Sequence, residues 1–331
     1  MKKIGVIGAG SWGTALAVTL SGKGHEVRIW DLDETHLKEL SENRENVRYL
    51  PEVKFNDDLH VVFSVEEAID GADIVLFSAP AQHFRSALKG ALPYLKENMV
   101  AVNVAKGIEQ GTLKRMSEIA EELAPELKYV VLSGPSHAEE VGRAMPTTVA
   151  VASKDIKLAE YIQEEFMTDR FRIYTADDVV GIELGGSLKN IIALGAGISD
   201  GMGFGDNAKA ALMTRGLAEI KRLGIKLGAD PQTFLGLAGV GDLIVTCTSM
   251  HSRNRRCGIM IGEGMDPAEA TEKVGMVVEG MFTAVAAKQL AEKVGVEMPI
   301  TFGINDVIDG KIDARTAVEM LMTRDKKNEL D

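Results

Sequence analysis

The sequence predicts an α/β fold, namely a doubly wound, mostly parallel sheet followed by an all-helical carboxy-terminal domain. The length of 331 residues is typical of two domains rather than one. Strand and helix patterns alternate in the first half, and strand patterns nearly vanish from Asp177 onward. We therefore expect residues 1–176 to form a dinucleotide-binding domain and residues 177–331 to form a helical domain for substrate and catalysis.

Short runs of apolar and β-branched residues predict the strands of the first domain. The segment 112–123 has apolar residues on one helical face and predicts one of the helices between them. Because alternating strands and helices imply βαβ crossovers, the sheet is expected to be mostly parallel and covered on both faces. The predicted strands are residues 4–7, 27–30, 61–63, 74–78, 99–103, 130–133 and 149–152.

Long helical patterns fill the second half of the chain. Glycine and proline separate them at Gly228, Pro231, Pro267 and Pro299, where helices are expected to end or begin. Neither an internal repeat nor a low-complexity segment interrupts the pattern. The predicted helices are residues 179–198, 208–227, 253–262, 282–294 and 314–322.

Composition and charge exclude several classes of function. The formal net charge of −12 disfavours a nucleic-acid partner, because phosphate contacts require clustered lysine and arginine. Cys247 and Cys257 have neither the number for a disulfide framework nor the spacing of a zinc site, and no histidine pair has metal-ligand spacing, so no metal is expected. The sequence shows no export signal, and Lys189 interrupts its longest apolar run. We expect a cytoplasmic protein without stable membrane association.

The motif Gly8-Ala9-Gly10-Ser11-Trp12-Gly13 follows the first strand and begins a helix, which is the context of a Rossmann-like dinucleotide site. In such a site Gly8 permits the tight turn, Gly10 lets the backbone approach a pyrophosphate, and Gly13 allows close packing of helix and strand. The helix N-terminus supplies free N–H groups. An ordinary glycine-rich turn is the alternative.

Asp31 ends the second strand, near the offset at which an acidic residue binds a ribose hydroxyl. A carboxylate there would repel the additional phosphate of NADP, so Asp31 favours NAD. The alternative is a solvated aspartate at a strand end. His36 and Arg44 remain candidates for contacting that phosphate.

Two isolated lysines indicate chemistry. Lys106 follows the end of a strand, where ligands bind in doubly wound sheets, although a surface lysine is an equal possibility. Lys189 is the only charge between Leu184 and Ser199, and the small residues beside it allow another surface to approach. Burial and a nearby Lys106 would lower the pKa of Lys189 toward that of a general base. The alternative is a side chain that extends to solvent.

The segment from Ser249 to Gly258 holds three arginines and no acid. Ser252 is expected to cap a helix whose first N–H groups, together with Arg253, bind a phosphate or a carboxylate. A solvated basic turn is the alternative. Upstream, Asp242 lies among apolar and glycine residues, where it is expected to orient Lys189, to accept a substrate hydroxyl, or simply to cap a helix.

These motifs, in this order, resemble those of the NAD(P)-dependent glycerol-3-phosphate dehydrogenase family, and the resemblance spans nearly the whole chain. It implies reversible hydride transfer between a nicotinamide and dihydroxyacetone phosphate, which yields sn-glycerol 3-phosphate for phospholipid synthesis. It also implies a homodimer. The motifs that carry it are Gly8-Ala9-Gly10-Ser11-Trp12-Gly13, Lys106-Gly107, Ser133-Gly134-Pro135-Ser136-His137-Ala138, Lys189-Asn190, Gly241-Asp242, Ser252-Arg253-Asn254 and Ala317-Val318-Glu319-Met320-Leu321-Met322.

The resemblance also implies roles for individual residues. Lys189 would be the acid and base, and Lys106 would place positive charge beside the reacting oxygen. Asn190 and Asp242 would fix the substrate hydroxyls and the lysine ammonium. The implied phosphate and further substrate contacts are Ser252, Arg253, Asn254, Gly134 and Ser136. The implied cofactor contacts are Ser11, Trp12, Ala138, Val277 and Glu279, with Lys106 and Arg253 shared between cofactor and substrate.

One departure from the family pattern bears on the cofactor. Members that use NADPH often carry arginine just after the second strand, where this chain has Asp31-Leu32-Asp33. NAD is therefore favoured, and NADP stays possible. The alternative functions are another two-domain hydroxyacid or sugar-nucleotide dehydrogenase and, in a different class, a non-catalytic NAD-sensing protein.

Overall fold

A computed structural model describes residues 1–326, 328 and 329. The amino-terminal part holds a sheet of eight strands in the order β10-β9-β8-β7-β6-β1-β2-β5, and β3 and β4 form a separate hairpin. All neighbours in the large sheet are parallel except β8 and β9. The strands are β1 (Lys3–Ile7), β2 (Glu26–Trp30), β3 (Glu45–Asn46), β4 (Leu50–Lys54), β5 (Leu59–Val61), β6 (Ile74–Phe77), β7 (Val100–Asn103), β8 (Lys128–Ser133), β9 (Thr147–Ala152) and β10 (Phe171–Ala176).

Helices cover the sheet and then form the rest of the described chain. This architecture confirms the predicted fold class. The helices are α1 (Ser11–Gly22), α2 (Glu34–Asn43), α3 (Val65–Ile69), α4 (Phe84–Ala91), α5 (Met116–Leu123), α6 (Ala138–Gly142), α7 (Ile156–Phe166), α8 (Val179–Gly201), α9 (Asp206–Lys226), α10 (Asp242–Thr248), α11 (Arg253–Gly262), α12 (Pro267–Val274), α13 (Glu279–Val294), α14 (Pro299–Ile308) and α15 (Ala314–Met322).

Several boundaries differ from the predicted ones. The strand predicted at residues 61–63 ends at Val61, and β4 and β10 were not among the predicted strands. The helix predicted from residue 112 begins only at Met116, because Leu113 has a φ of 60° in a turn and so cannot continue a right-handed helix.

Helix α8 forms the centre of the helical part. Apolar side chains surround it, and α11 crosses it at backbone contact, since a Cβ on Gly258 would lie 2.1 Å from the Leu194 carbonyl oxygen. By length and composition α8 could span a membrane, but 94% of its most apolar window is buried in the protein. The sheet has its own hydrophobic core, separate from that around α8.

Candidate active site

A cleft of about 960 Å³ runs along the carboxyl ends of β1, β2, β6 and β7. Its other wall comes from α8 and from the segments that begin α11 and α13. In the sheet β1 lies between β2 and β6, so the strand order reverses beside the cleft. Open α/β sheets bind ligands at such a reversal.

The glycine-rich turn between β1 and α1 forms one end of the cleft. Gly8 has a φ of 108°, and its N–H donates to the Trp30 carbonyl at 2.8 Å. A Cβ on Gly13 would lie 2.1 Å from the Gly8 oxygen, whereas a Cβ on Gly10 would meet no protein atom within 4 Å. The first and third glycines thus serve the turn and its packing, and the middle one leaves room for a ligand.

The N-terminus of α1 faces this space without a side-chain cap, because Gly10 occupies the N-cap position. Ser11 and Trp12 therefore present uncapped N–H groups and the positive end of the helix dipole to the cleft. Those groups suit the pyrophosphate of a dinucleotide. The residues present at this end fit that group.

Asp31 lies at the cleft and is held by the glycine-rich turn. Its Oδ2 accepts from Ala9 N at 2.7 Å, and its Oδ1 accepts from Asp33 N at 3.2 Å. Two backbone donors fix this carboxylate, which is the group expected to accept ribose hydroxyls.

Of the two residues considered for an additional phosphate, His36 lines the cleft and Arg44 does not. His36 Nε2 lies 3.2 Å from the Ala9 carbonyl oxygen. Arg44 donates to the carbonyls of Leu59 and Asn56, at 2.8 and 2.5 Å. Arg44 is therefore held away from the cleft lining by these carbonyls, which makes it a weak candidate for contacting a cofactor phosphate.

Glu279 borders the cleft at the start of α13. Its Oε1 accepts from Ala81 N at 3.1 Å, while its Oε2 is buried and has no hydrogen-bond partner among the described residues. Burial raises the pKa of Glu279 to about 6, against the opposing effects of the Ala81 N–H and Arg253. Trp12 Nε1 is likewise buried without a partner. A bound cofactor that reached these buried atoms would supply the hydrogen-bond partners they lack.

Lys189, Asp242 and Lys106 form one buried charge cluster. Asp242 is only 1% exposed, and each of its oxygens accepts from a different lysine. Oδ1 lies 2.5 Å from Lys189 Nζ, and Oδ2 lies 2.6 Å from Lys106 Nζ. Lys106 also donates to the Gly134 carbonyl at 3.0 Å. Lys189 is 7% exposed, so it does not extend to solvent.

The cluster changes the proton affinity of its members. Burial lowers the pKa of Lys189 to about 8, although Asp242 opposes the shift and Lys106 adds to it. Burial alone would raise the pKa of Asp242, but Lys106 and Lys189 hold it below its ordinary value. Asp242 therefore remains ionised, and Lys189 exchanges its proton near neutral pH.

Two glycines of α8 explain how the cluster is assembled. A Cβ on Gly185 would lie 2.4 Å from the Ala238 carbonyl oxygen, and one on Gly186 would lie 2.4 Å from Ser133 Oγ. Gly185 thus admits the irregular segment Leu237–Gly241, which leads directly into Asp242 at the start of α10. Gly186 admits the end of β8. Asp242 is the first residue of α10, whereas Gly241 is its N-cap, so Asp242 does not act as the N-cap.

Thr246 is a member of the cluster that the sequence did not reveal. It lies one turn after Asp242 on α10, and its Oγ1 is 2.6 Å from Lys189 Nζ. The hydroxyl and carboxylate together orient the ammonium. A polar residue four positions after a candidate aspartate on a helix is the signal that would have found it.

Asn190 and Asn254 are hydrogen-bonded to each other at the floor of the cleft. Asn254 Nδ2 donates to Asn190 Oδ1 at 3.0 Å, and Asn254 Oδ1 accepts from Gly280 N at 2.8 Å. Asn254 therefore ties α11 to α8 and α13, which is a positioning contact beyond the phosphate role predicted for it. The Asn190 amide presents its NH₂ group as the remaining donor.

The N-terminus of α11 opens into the same cleft. Ser252 caps this helix as predicted, because its hydroxyl accepts from Arg255 N at 3.2 Å. Arg253 lines the cleft, whereas Arg255 is bound to Asp200 at 2.7 Å. Burial lowers the pKa of Arg253, with Glu279 and Glu139 opposing the shift. A helix N-terminus beside a partly buried guanidinium binds anions well.

The remaining residues predicted to contact a ligand lie in the segment after β8 and, for Val277, between α12 and α13. Gly134 has a φ of 145°, and a Cβ there would lie 3.0 Å from Val149 Cα, so a side chain is excluded at this position, which does not itself line the cleft. Ser136, Ala138 and Val277 line the cleft. His137 and His251, far apart in sequence, have ring centroids 5.6 Å apart. Burial lowers the pKa of His137, and Lys189 lowers it further.

Within the described residues, no group of three or more histidine, cysteine, aspartate or glutamate side chains is arranged to hold a metal ion. The cleft instead combines an uncapped helix N-terminus for a dinucleotide, a lysine that titrates near neutrality, and a second helix N-terminus with an arginine. Such a fold and site define an oxidoreductase that uses NAD(P).

Comparisons with known proteins give the family. Models of the N-terminus and C-terminus of NAD-dependent glycerol-3-phosphate dehydrogenase match residues 3–159 and 178–319. A relative from Pelotomaculum thermopropionicum, named glycerol-3-phosphate dehydrogenase (NAD(P)+), is 55% identical over 99% of this chain and 95% of its own. One of the same name from a Thermoanaerobacter species is 53% identical over 99% of both chains.

A solved structure agrees with these sequence matches. Glycerol-3-phosphate dehydrogenase from Coxiella burnetii is 38% identical, covers 98% of this chain and 99% of its own, and has a TM-score of 0.93. The chain belongs to the NAD-dependent glycerol-3-phosphate dehydrogenase family. The family resemblance stated from the motifs is thereby confirmed.

Proposed function

We propose that this protein interconverts dihydroxyacetone phosphate and sn-glycerol 3-phosphate by hydride transfer with NAD(P)H, and that its product supplies phospholipid synthesis. The observation that carries the proposal is Lys189, a buried lysine with a pKa of about 8, in the cleft that also holds an anion site at α11. When bound, the reduced nicotinamide supplies the hydride. The chain's residues must then orient the ketone and deliver one proton.

Proton delivery falls to Lys189. Its ammonium is held by Asp242 Oδ1 and Thr246 Oγ1, so its third N–H bond is the one available to the oxygen of the substrate carbonyl. As negative charge develops on that oxygen, Lys189 donates its proton, and in the oxidative direction the neutral amine takes the proton back. Asp242 stays ionised throughout and restrains the amine.

Lys106 supports the same step electrostatically. Its ammonium is fixed by Asp242 Oδ2 and the Gly134 carbonyl, which leaves one N–H toward the cleft. A fixed positive charge in a dry site stabilises a developing alkoxide more than it stabilises the neutral ketone. We propose the NH₂ group of Asn190 as a further donor to the substrate.

The other end of the substrate is assigned to α11. The phosphate would accept from the backbone N–H groups of Arg253 and Asn254, which the Ser252 cap leaves free, and from the Arg253 guanidinium. Ser136, which lines the cleft, and Gly134, whose carbonyl holds Lys106, are proposed as further substrate contacts. Arg253 and Lys106 line the same cleft as the proposed cofactor contacts, which are Ser11, Trp12, Ala138, Val277 and Glu279.

The alternatives are weaker. D-mandelate dehydrogenase has a TM-score of 0.61 at 15% identity, a likeness that extends to the fold alone. A hydroxyacid enzyme would use the α11 anion site for a carboxylate. A non-catalytic NAD sensor would have no use for Lys189, a lysine between Asp242 and Lys106 whose pKa burial lowers to about 8.

The test is NADH oxidation, followed by absorbance, with a panel of phosphorylated and carboxylated ketones. We expect rapid oxidation with dihydroxyacetone phosphate and little with its unphosphorylated parent or with 2-keto acids. The variant Arg253→Gln tests the phosphate site in the same assay. It should raise the KM for the phosphorylated ketone by about 10-fold or more with a smaller change in kcat. Equal rates with a keto acid would instead support the hydroxyacid alternative.

Domain roles, cofactor preference, location and oligomeric state complete the proposal. We propose that residues 1–176 bind the dinucleotide and residues 177–331 provide most of the substrate site, that NAD is preferred because of Asp31, and that the protein is a cytoplasmic homodimer. Size-exclusion chromatography with light scattering tests the dimer directly.

A further inference from the structure

Arg48 is a cation beside the end of the cleft that holds Asp31, called here the adenosine end because the proposed cofactor would place its adenosine there. Arg48 lies in the turn between β3 and β4, and its side chain is 56% exposed. Its Nη1 is 3.5 Å from Asp33 Oδ2, and Asp33 lines the cleft. The guanidinium also lies over the ring of Tyr49, 5.0 Å from its centroid, and Tyr49 lines the cleft too.

The turn that carries Arg48 is attached to the glycine-rich turn. Asn46 is fully buried, and its Nδ2 donates at 2.8 Å to the Ala9 carbonyl, while its Oδ1 accepts from Tyr49 N at 3.0 Å. The opposite side of the same glycine-rich turn donates from Ala9 N to Asp31. Arg48 is therefore fixed relative to Asp31, the residue expected to bind the adenosine ribose.

Asp33 uses one carboxylate oxygen to cap α2 and the other to pair with the Arg48 guanidinium. Oδ1 caps α2 by accepting from Thr35 N and His36 N at 3.0 and 3.1 Å, whereas Oδ2 faces Arg48. The ion pair is exposed and long, so it contributes little stability and its guanidinium can turn to another anion at low cost.

We propose that Arg48 is the residue that lets this chain accept NADP, by binding the 2′-phosphate of its adenosine ribose in place of Asp33. Asp31 and Asp33 oppose that phosphate, and Arg48 supplies the positive charge that offsets one of them. The preference for NAD is thus moderated by a residue from the β3–β4 turn instead of one directly after β2. This inference rests on the proposed placement of the cofactor in the cleft.

The experiment measures binding without the reaction. ADP-ribose and 2′-phospho-ADP-ribose differ only in the phosphate, and both tryptophans of the chain, Trp12 and Trp30, line the cleft and report binding by fluorescence. Arg48→Met keeps an unbranched stem over Tyr49. It should weaken binding of the phosphorylated probe by about 10-fold or more and leave ADP-ribose within about two-fold.

Asp33→Asn provides the opposite change, because asparagine still caps α2 but no longer attracts Arg48. It should strengthen binding of the phosphorylated probe several-fold, and that gain should shrink when Arg48→Met is added. Arg143→Met is the matched control, since Arg143 forms an exposed ion pair at 3.0 Å with Glu52, which does not line the cleft, whereas Asp33, the partner of Arg48, does.

Two outcomes would overturn the inference. One is an equal loss of both probes in Arg48→Met, which would make Arg48 structural. The other is a ratio of the two affinities that does not change with residue 48. If wild-type protein bound neither probe, the proposed cofactor placement itself would fail, whereas ADP-ribose binding with an unchanged ratio would remove only the role of Arg48.

Discussion

The two ends of the cleft hold an aspartate and its cations in opposite surroundings. Asp242 is 1% exposed and bridges two lysines at 2.5 and 2.6 Å. The side chain of Asp33 is 49% exposed and meets one arginine at 3.5 Å. Removing one partner of a buried ion pair costs about 3–5 kcal/mol, whereas an exposed pair contributes about 0–1 kcal/mol.

This difference follows from what each end must do. The proposed acid and base, Lys189, needs a pKa lowered toward neutrality, and burial among fixed charges lowers it to about 8. In the proposed binding mode the adenosine end contacts a part of the cofactor that does not react, and its charges, Arg48 and Asp33, are about half exposed. Substitutions should therefore change chemistry and folding at one end and only selectivity at the other.

The largest effect is expected from Lys189→Met, which removes the proposed acid and base but keeps most of the side-chain volume. Turnover should fall by roughly 10²–10⁴, the usual contribution of a general acid or base. Cofactor affinity, measured by fluorescence of Trp12 and Trp30, should change little.

Lys154→Met is the control for that substitution, because Lys154 pairs with Glu121 on the surface and is 78% exposed. It should keep full activity. If Lys189→Met retained wild-type turnover, Lys189 would be a structural residue and the proposed proton path would be wrong.

The next effect concerns folding and compares the two aspartates directly. Asp242→Asn should lower the free energy of unfolding by about 3–5 kcal/mol, because two lysines lose their carboxylate in a dry site. Asp33→Asn keeps the cap of α2 and should cost less than about 1 kcal/mol. Urea unfolding of both variants at pH 7 measures the difference, and equal losses would show that burial does not distinguish the two ends.

The sequence predicted the parts of this site that depend on local pattern. Gly8, Gly10 and Gly13 follow a strand and begin a helix, and Ser252 precedes an arginine-rich helix, so their backbone roles can be inferred from neighbours. Lys189 was recognisable because a lone charge in an apolar helix is costly.

The rest depends on contacts between distant segments. Thr246 reaches Lys189 only because α10 packs on α8, and His137 meets His251 only because two loops converge. Arg48 comes to Asp33 through Asn46, whose side chain binds the glycine-rich turn. Local spacing marks Thr246 as a neighbour of Asp242 but does not encode these contacts between distant segments, so the adenosine end was only partly predicted.

The smallest expected effect is the pH dependence of activity, which tests the buried Lys189–Asp242 cluster without any substitution. The pKa of Lys189, about 8, lies below its ordinary value, so the ammonium predominates below pH 8 and the neutral amine above it. Reduction of the ketone needs the ammonium, so kcat/KM should fall by about tenfold per pH unit above the pKa. Oxidation of sn-glycerol 3-phosphate needs the neutral amine and should rise with pH up to the same value.

Thr246→Val sharpens this test, because it removes a hydroxyl 2.6 Å from the Lys189 ammonium while keeping the side-chain shape. Loss of a partner that favours the charged form should lower the pKa of Lys189 further, so both pH profiles should move to lower pH together. Asp33→Asn, at the adenosine end, should not shift either pH profile. Profiles that move in Asp33→Asn but not in Thr246→Val would mean that the titrating group lies outside the Lys189–Asp242 cluster.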